Sequence, residues 1–227
     1  MATTGGTSAH YALKDPDVRL MLAVRDGDDR EAFEKLVDNY QHRLVSVLNH
    51  LVRNRDEAED LAQDVFLRVY RSRETYRPRA KFSTWLFTIA NNLALNKLRS
   101  MKRKPTVSLS VRESGPLGPR PEEQLAQARD RQPHHRMQQA EMAEIVREAI
   151  DGLNERQRMA VLLNKFEDMP YAEIAAVMEM TTKAVKSLLS RARANLRIAL
   201  QDLVRPNEEE APSAANPGSS EMSLPQE

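Results

Sequence analysis

Apolar residues recur at helix spacing along most of the chain. Phe33, Leu36, Val37, Tyr40, Leu44, Val47, Leu48 and Leu51 return every three or four positions and predict one amphipathic helix. Ala58, Leu61, Ala62, Val65, Phe66, Val69 and Tyr70 predict a second. Phe82, Trp85, Leu86, Ile89 and Leu93 predict a third, with Ser83 or Thr84 placed to cap its start. Arg77-Pro78-Arg79 interrupts the pattern, because a proline ring disfavours helical geometry in the residue before it. Three such helices with short connections can close one core, so residues 15–104 are expected to form a first helical module. Over 105–136 the periodicity fails. Ser114-Gly-Pro-Leu-Gly-Pro-Arg-Pro121 can neither continue a helix nor bury much surface, and a flexible linker is expected there.

The pattern resumes over 137–205. Met142, Ile145, Val146, Ala149 and Ile150 make one stripe, and Met159, Val161, Leu162 and Leu163 belong to a second helix. Tyr171 to Met178 follows, then a short turn and a further helix from Thr181. The predicted fold class is all-α: two small helical domains on a flexible tether, with no fixed mutual orientation. Tails at 1–14 and 206–227 are expected to lie outside both.

The stretch from Ile174 to Leu189 obeys the packing rules of a helix-turn-helix. Ala175 is small where two helices must cross closely, and Ile174, Met178, Met180, Val185 and Leu189 fall on the shared core face. Thr181 or Thr182 can cap the second helix. Its other face carries Lys183, Lys186, Ser187, Ser190 and Arg191, side chains able to reach base edges and phosphates in a major groove. Glu179 stands where many such turns place glycine.

The net charge of the 227 residues is only +1, but its distribution is uneven. Asp56, Glu57, Glu59, Asp60 and Asp64 are clustered. Lys97, Arg99, Lys102, Arg103 and Lys104 form a basic run, and Lys183, Lys186, Arg191, Arg193, Arg197 and Arg205 form another. Two basic runs, each ending a helical pattern, favour phosphate contact. Residues from Asn207 to Glu227 are acidic and rich in Pro, Ser and Ala. The chain has no cysteine, which excludes disulfides and thiolate metal sites and fits a cytoplasmic protein. No membrane insertion is expected, since no apolar run approaches the roughly 18 residues of a span, and Met1 to Ser8 lacks the features of a signal peptide. His134-His135 has no third ligand nearby, so neither a metal nor another cofactor is expected.

Taken together, the two modules resemble the extracytoplasmic-function (ECF) group of sigma-70 family sigma factors. Ala58-Glu-Asp-Leu-Ala-Gln-Asp-Val-Phe66 resembles their region 2.2. Phe82-Ser-Thr-Trp-Leu86 with Ile89-Ala-Asn-Asn92 resembles regions 2.3 and 2.4. Gly152-Leu-Asn-Glu-Arg-Gln-Arg158, Tyr171-Ala-Glu-Ile-Ala175, Val185-Lys-Ser187 and Arg191-Ala-Arg193 resemble region 4. The resemblance implies a sigma region 2 bundle that binds core RNA polymerase at its clamp and opens the −10 element. It also implies a region 4 that binds the −35 duplex and touches the polymerase flap, and an anti-sigma factor as a further partner. It assigns Asp60, Gln63 and Asp64 to core polymerase. Arg77, Arg79, Lys81, Phe82, Asn92, Asn96, Lys97 and Arg99 fall to −10 DNA. Lys183, Lys186, Ser187, Ser190, Arg191, Arg193 and Arg197 fall to −35 DNA. Trp85 reads as core from its place in the apolar stripe, while Phe82 fits either core or base stacking. Leu188 departs from the family, which often has arginine there, and Lys183-Ala184 stands where Gly-Thr is common.

An ordinary helix-turn-helix regulator would account for the second module but not for an all-helical first one. A receiver domain would alternate strands with helices. A purely protein-binding adaptor leaves both basic runs unexplained. No phosphate loop, metal-ligand spacing or nucleophile–base pair points to an enzyme.

Overall fold

Asp15 starts two helices at once. One carboxylate oxygen accepts from Asp17 N at 3.0 Å and so caps the first helix, α1 (Pro16–Gly27). The other accepts from Phe82 N at 3.1 Å, at the start of α4 (Phe82–Arg103). An N-cap bond satisfies a backbone donor that the helix itself leaves unpaired. Ser83 and Thr84 therefore do not cap α4: both lie inside its first turn, and the cap comes from a residue distant in sequence. The computed structural model describes residues 14–103 and 133–201.

Between α1 and α4 lie α2 (Arg30–Val52), capped by Asp29, and α3 (Arg55–Arg71), capped by Asn54. A short 3₁₀ turn (Arg73–Thr75) follows α3. The three expected stripes pack as read, with Leu36, Leu44, Leu48, Val65, Val69, Leu86 and Ala90 fully or almost fully buried. The pattern had not announced α1. Its Val18, Met21 and Val24 are completely buried, and they complete a four-helix module.

The second module holds α5 (Pro133–Asp151), α6 (Glu155–Lys165), α7 (Tyr171–Val177) and α8 (Thr182–Ala199). Among the described residues all regular structure is helical. α6 opens on a reciprocal capping box, Asn154 with Gln157. The helix of α5 begins at Pro133, inside the stretch expected to be linker; 105–132 and both tails lie outside the described residues. Ala149 and Ile150 are buried as expected, but Met142 and Ile145 are exposed.

Thr181 caps α8, its hydroxyl accepting from Ala184 N at 3.2 Å. Glu179 absorbs the tight turn before it by adopting left-handed backbone, φ 53°. A side chain there meets its own carbonyl, which glycine avoids. Glu179→Gly should therefore stabilise the module by about 0.5–1 kcal/mol, read as a higher Tm in thermal unfolding. An unchanged or lower Tm would mean that the turn carries no such strain.

The two modules pack together, contrary to the expectation of no fixed mutual orientation: α7 lies on α4 and α6 on α2. Arg158 explains much of this. Its guanidinium side chain is 5% exposed and donates to the carbonyls of Ile150, Asp151 and Leu153 in its own module, and to His50 O at 2.8 Å in the other. A buried cation is tolerated only when so paired.

Candidate functional site

One stripe of α3 changes sign along its length. Asp60, Gln63 and Asp64 are exposed toward its middle, and Arg68 and Arg71 are exposed near its end. Spacings of three and four residues keep all of them on one side of the helix, and Asp60 and Arg71 stand about 16 Å apart along the axis. Asp56 and Glu57 in the first turn and Arg68 and Arg71 in the last also complement the helix dipole. Leu67 is an apolar side chain left 50% exposed on this side of the helix.

At the basic end the surface opens into a pocket of about 520 Å³. Arg68, Arg71, Arg77, Asn92, Trp85 and Tyr76 are among its walls. Trp85 belongs to both core and pocket. Its ring packs at 4.6 Å from Tyr76 and 6.0 Å, edge on, from Phe82. Phe82 itself is completely buried, with Tyr40 at 5.3 Å on its other side. It offers no ring to a ligand, so the structure settles it as core. Burial, reinforced by the Asp15 carboxylate, raises the Tyr76 hydroxyl above the ordinary phenol range and keeps it protonated.

The other expected −10 residues are spread more widely. Asn92 is exposed in the pocket wall. Asn96 is exposed one turn further along α4, outside the pocket, and its side-chain oxygen accepts from Arg99 at 3.4 Å. Arg77 Nη1 is held by the carbonyls of Glu74 and Tyr76, and Arg79 N by Arg77 O at 2.8 Å. Lys97 is paired with Glu57 of α3, and Lys81 with Glu173 of α7 at 2.9 Å. Arg68 and Arg71 were not singled out in the sequence. Their only trace there was a pair of polar positions between the apolar ones of α3.

On α8, Lys183, Lys186, Ser187, Ser190, Arg191, Arg193 and Arg197 are all exposed, while Val185, Leu188, Leu189 and Ala192 face inward. Leu188 at 6% exposure is thus a core residue. Arg193 Nη2 donates to the Tyr171 hydroxyl at 2.8 Å, which steadies that guanidinium against α7. Among the described residues no group of His, Asp or Glu could hold a metal ion, and no helix is long and apolar enough to cross a membrane.

Two helical modules, one with a pocket of arginines beside an acidic surface and the other a helix-turn-helix with a cationic free face, are the surfaces of a DNA-binding protein of the helix-turn-helix class. The sigma-70 region 2 family matches residues 36–104, and the sigma-70 region 4 family matches residues 143–196. The RNA polymerase sigma-H factor of Pseudomonas aeruginosa is 34% identical over 192 residues, covering 85% of this chain and 97% of that protein. The ECF RNA polymerase sigma-E factor of Escherichia coli is 33% identical over 195 residues, covering 83% and 96%. Two solved structures share the fold: CnrH in complex with the cytosolic domain of CnrY, and the Bartonella quintana sigma factor RpoE in complex with the anti-sigma factor NepR. Both have a TM-score of 0.57; the first is 23% identical and covers 83% of this chain and 99% of that one, the second 22%, 74% and 96%. The chain belongs to the sigma-70 family, in its ECF group. Its relatives are sigma factors, a class of transcription initiation factor and not of enzyme, and promoter-specific initiation with RNA polymerase is the role of that group.

Proposed function

We propose a division of labour among these surfaces. Asp60, Gln63 and Asp64 dock on a basic surface of the polymerase clamp, a partner that suits carboxylates where DNA phosphates would repel them. Asn92 and Asn96 hold unpaired bases of the −10 element and promote strand opening, with Arg68, Arg71 and Arg77 beside Asn92 and with Arg79, Lys81, Lys97 and Arg99 as further cations for the backbone. Taking a base from its stack requires a pocket, amides for the base edge and cations for the backbone. The exposed face of α8 reads the −35 duplex, Lys183, Lys186, Ser187, Ser190 and Arg191 toward the groove and Arg193 and Arg197 toward phosphates. Such work belongs in the cytoplasm beside the polymerase, where an anti-sigma factor, as in the complex of the Bartonella protein, would hold the chain in reserve.

The observation that carries this reading is the reversal of charge along α3. A single module offers one end to a protein and the other to a nucleic acid, which neither an ordinary regulator nor an adaptor needs. In run-off transcription on fragments of its own genome, core polymerase should initiate at specific sites only when the chain is added. A chain that binds core and yields no specific transcript would contradict the reading.

Contacts on α8 should sort by type. Arg191→Ala should cost about 1–3 kcal/mol and relax preference at one −35 position, whereas Arg197→Ala should weaken all sequences alike and lower the salt slope by about one. Equal behaviour of both variants on a library of −35 sequences would show the sorting to be wrong.

A further inference from the structure

We propose that the acidic segment from Glu208 to Glu221 docks on the cationic face of α8 in the same chain and competes there with DNA. The competition rests on the proposed −35 role of that face; the docking itself does not. Thr182 to Ala199 carries Lys183, Lys186, Arg191, Arg193 and Arg197 and no aspartate or glutamate. Lys183, Lys186, Arg193 and Arg197 fall, with Ser190, on one stripe at alternating spacings of three and four, about 21 Å long, and Arg191 flanks it. All five cations are exposed, and among the described residues no carboxylate pairs with any of them. Elsewhere on the surface cations find acids: Arg30 with Glu34 at 3.0 Å, Arg55 with Glu59 at 2.9 Å, and Lys102 with Glu155 at 2.7 Å. Like charges three and four apart on a helix repel, so carboxylates brought to this stripe lower the energy of the free chain.

The chain itself carries such carboxylates. From Asn207 to Glu227 there are five glutamates and no lysine or arginine, and Glu208, Glu209 and Glu210 are consecutive. Their reach is sufficient. Gln201, the last described residue, lies just past the end of α8. Glu208 stands seven residues beyond it, up to about 25 Å of extended chain, whereas Arg197, Arg193 and Arg191 lie only about 6, 12 and 15 Å back along the helix. Glu221 is far enough along the chain to reach any part of the stripe. Pro206-Asn207 suits the reversal of direction that docking needs. Exposed ion pairs are individually weak, but a tether holds the segment at an effective concentration of order millimolar. A duplex must displace it, so apparent affinity falls with the fraction of chains whose face is free. A face covered for about two-thirds to nine-tenths of the time binds about three- to tenfold more weakly.

Glu208→Gln, Glu209→Gln and Glu210→Gln together keep the length of the segment and remove most of its charge. In the full chain this triple variant should bind a short duplex of arbitrary sequence about three- to tenfold more tightly than wild type at about 0.05 M salt, and the gain should vanish by about 0.5 M as the charges are screened. Glu31→Gln with Glu34→Gln and Asp38→Asn removes the same charge from exposed positions of α2 and should gain little, which separates docking from net charge. In wild type a carbodiimide should join a glutamate of 208–221 to Lys183 or Lys186 within one chain, and excess duplex should suppress that amide. Equal gains from the two triple variants, no gain from either where wild type binds duplex, or no such amide would each overturn the proposal. An amide that forms only between two chains would assign the segment to a second copy and overturn it as well. A chain that forms the amide but binds no duplex, with or without the charge of the segment, would contradict the −35 reading and leave the docking intact.

Discussion

Asp60→Lys combined with Asp64→Lys should abolish assembly with core polymerase while helix content stays at the wild-type level. Both side chains are exposed on α3, one turn apart, and neither supports the core beneath them, which is built by Leu61, Val65 and Phe66. The size of the effect follows from the kind of change. An exposed ion pair is worth about 0.2–1 kcal/mol, so alanine at either position would give a small loss. Reversal at two adjacent positions replaces attraction with repulsion, and like charges across an interface cost several kcal/mol, enough to lower affinity by about a hundredfold or more. Co-purification with tagged core polymerase is the measurement, with circular dichroism as the control for folding. Undiminished co-purification by a folded double variant would remove α3 from the polymerase interface.

The second large effect is expected in strand opening. Asn92→Ala should spare binding to core polymerase and to −35 duplex, and slow formation of the open complex by about ten- to a hundredfold. An amide that holds a flipped base recovers part of the few kcal/mol spent in unstacking it, and its loss leaves that cost unmet. Asn96→Ala should show a weaker defect, because Asn96 lies outside the pocket and already bonds Arg99. Arg71→Ala should resemble Asn92→Ala, since both line the same pocket. A template pre-melted across the −10 region should restore much of the rate to each. Failure of that rescue, with duplex binding intact, would place these residues outside the opening step.

Much of this was legible because the chemistry is local. Helix periodicity along 33–93 depends only on which side chains avoid water, and the stripes of α2, α3 and α4 are buried almost as read. The cationic face of α8 was legible for the same reason: Val185, Leu189 and Ala192 fix which side faces inward, and Lys186, Ser187 and Arg191 follow. What escaped was set by contacts distant in sequence. In α1 the buried Val18, Met21 and Val24 are interleaved with Leu20, Leu22 and Ala23, which blurs the stripe, and its cap residue, Asp15, also starts a helix 67 positions later. The pocket needs Arg68 and Arg71 of α3 to meet Asn92 of α4, and no periodic pattern couples two helices. The docking of the modules escaped most completely. Arg158, Asn91 and Glu173 look in sequence like residues of a solvated face, yet each is buried or half-buried by a partner in the other module. Asp151 shows the same mixing. Burial alone would raise its carboxyl, but His50 and Arg53 from the first module and Arg158 from its own outweigh that and hold it below the ordinary 3.8. Its contribution to docking is therefore present above that pH and lost as pH falls through the lowered value.

The central claim is that this chain, in holoenzyme, opens DNA and does not merely bind it. Permanganate footprinting of thymines at a promoter mapped by run-off transcription tests that directly. Wild-type holoenzyme should make non-template thymines in the −10 region reactive, core polymerase alone should not, and Asn92→Ala should reduce the signal on duplex but not on pre-melted template. Specific binding by the holoenzyme with no reactive thymine at any mapped promoter would contradict the account.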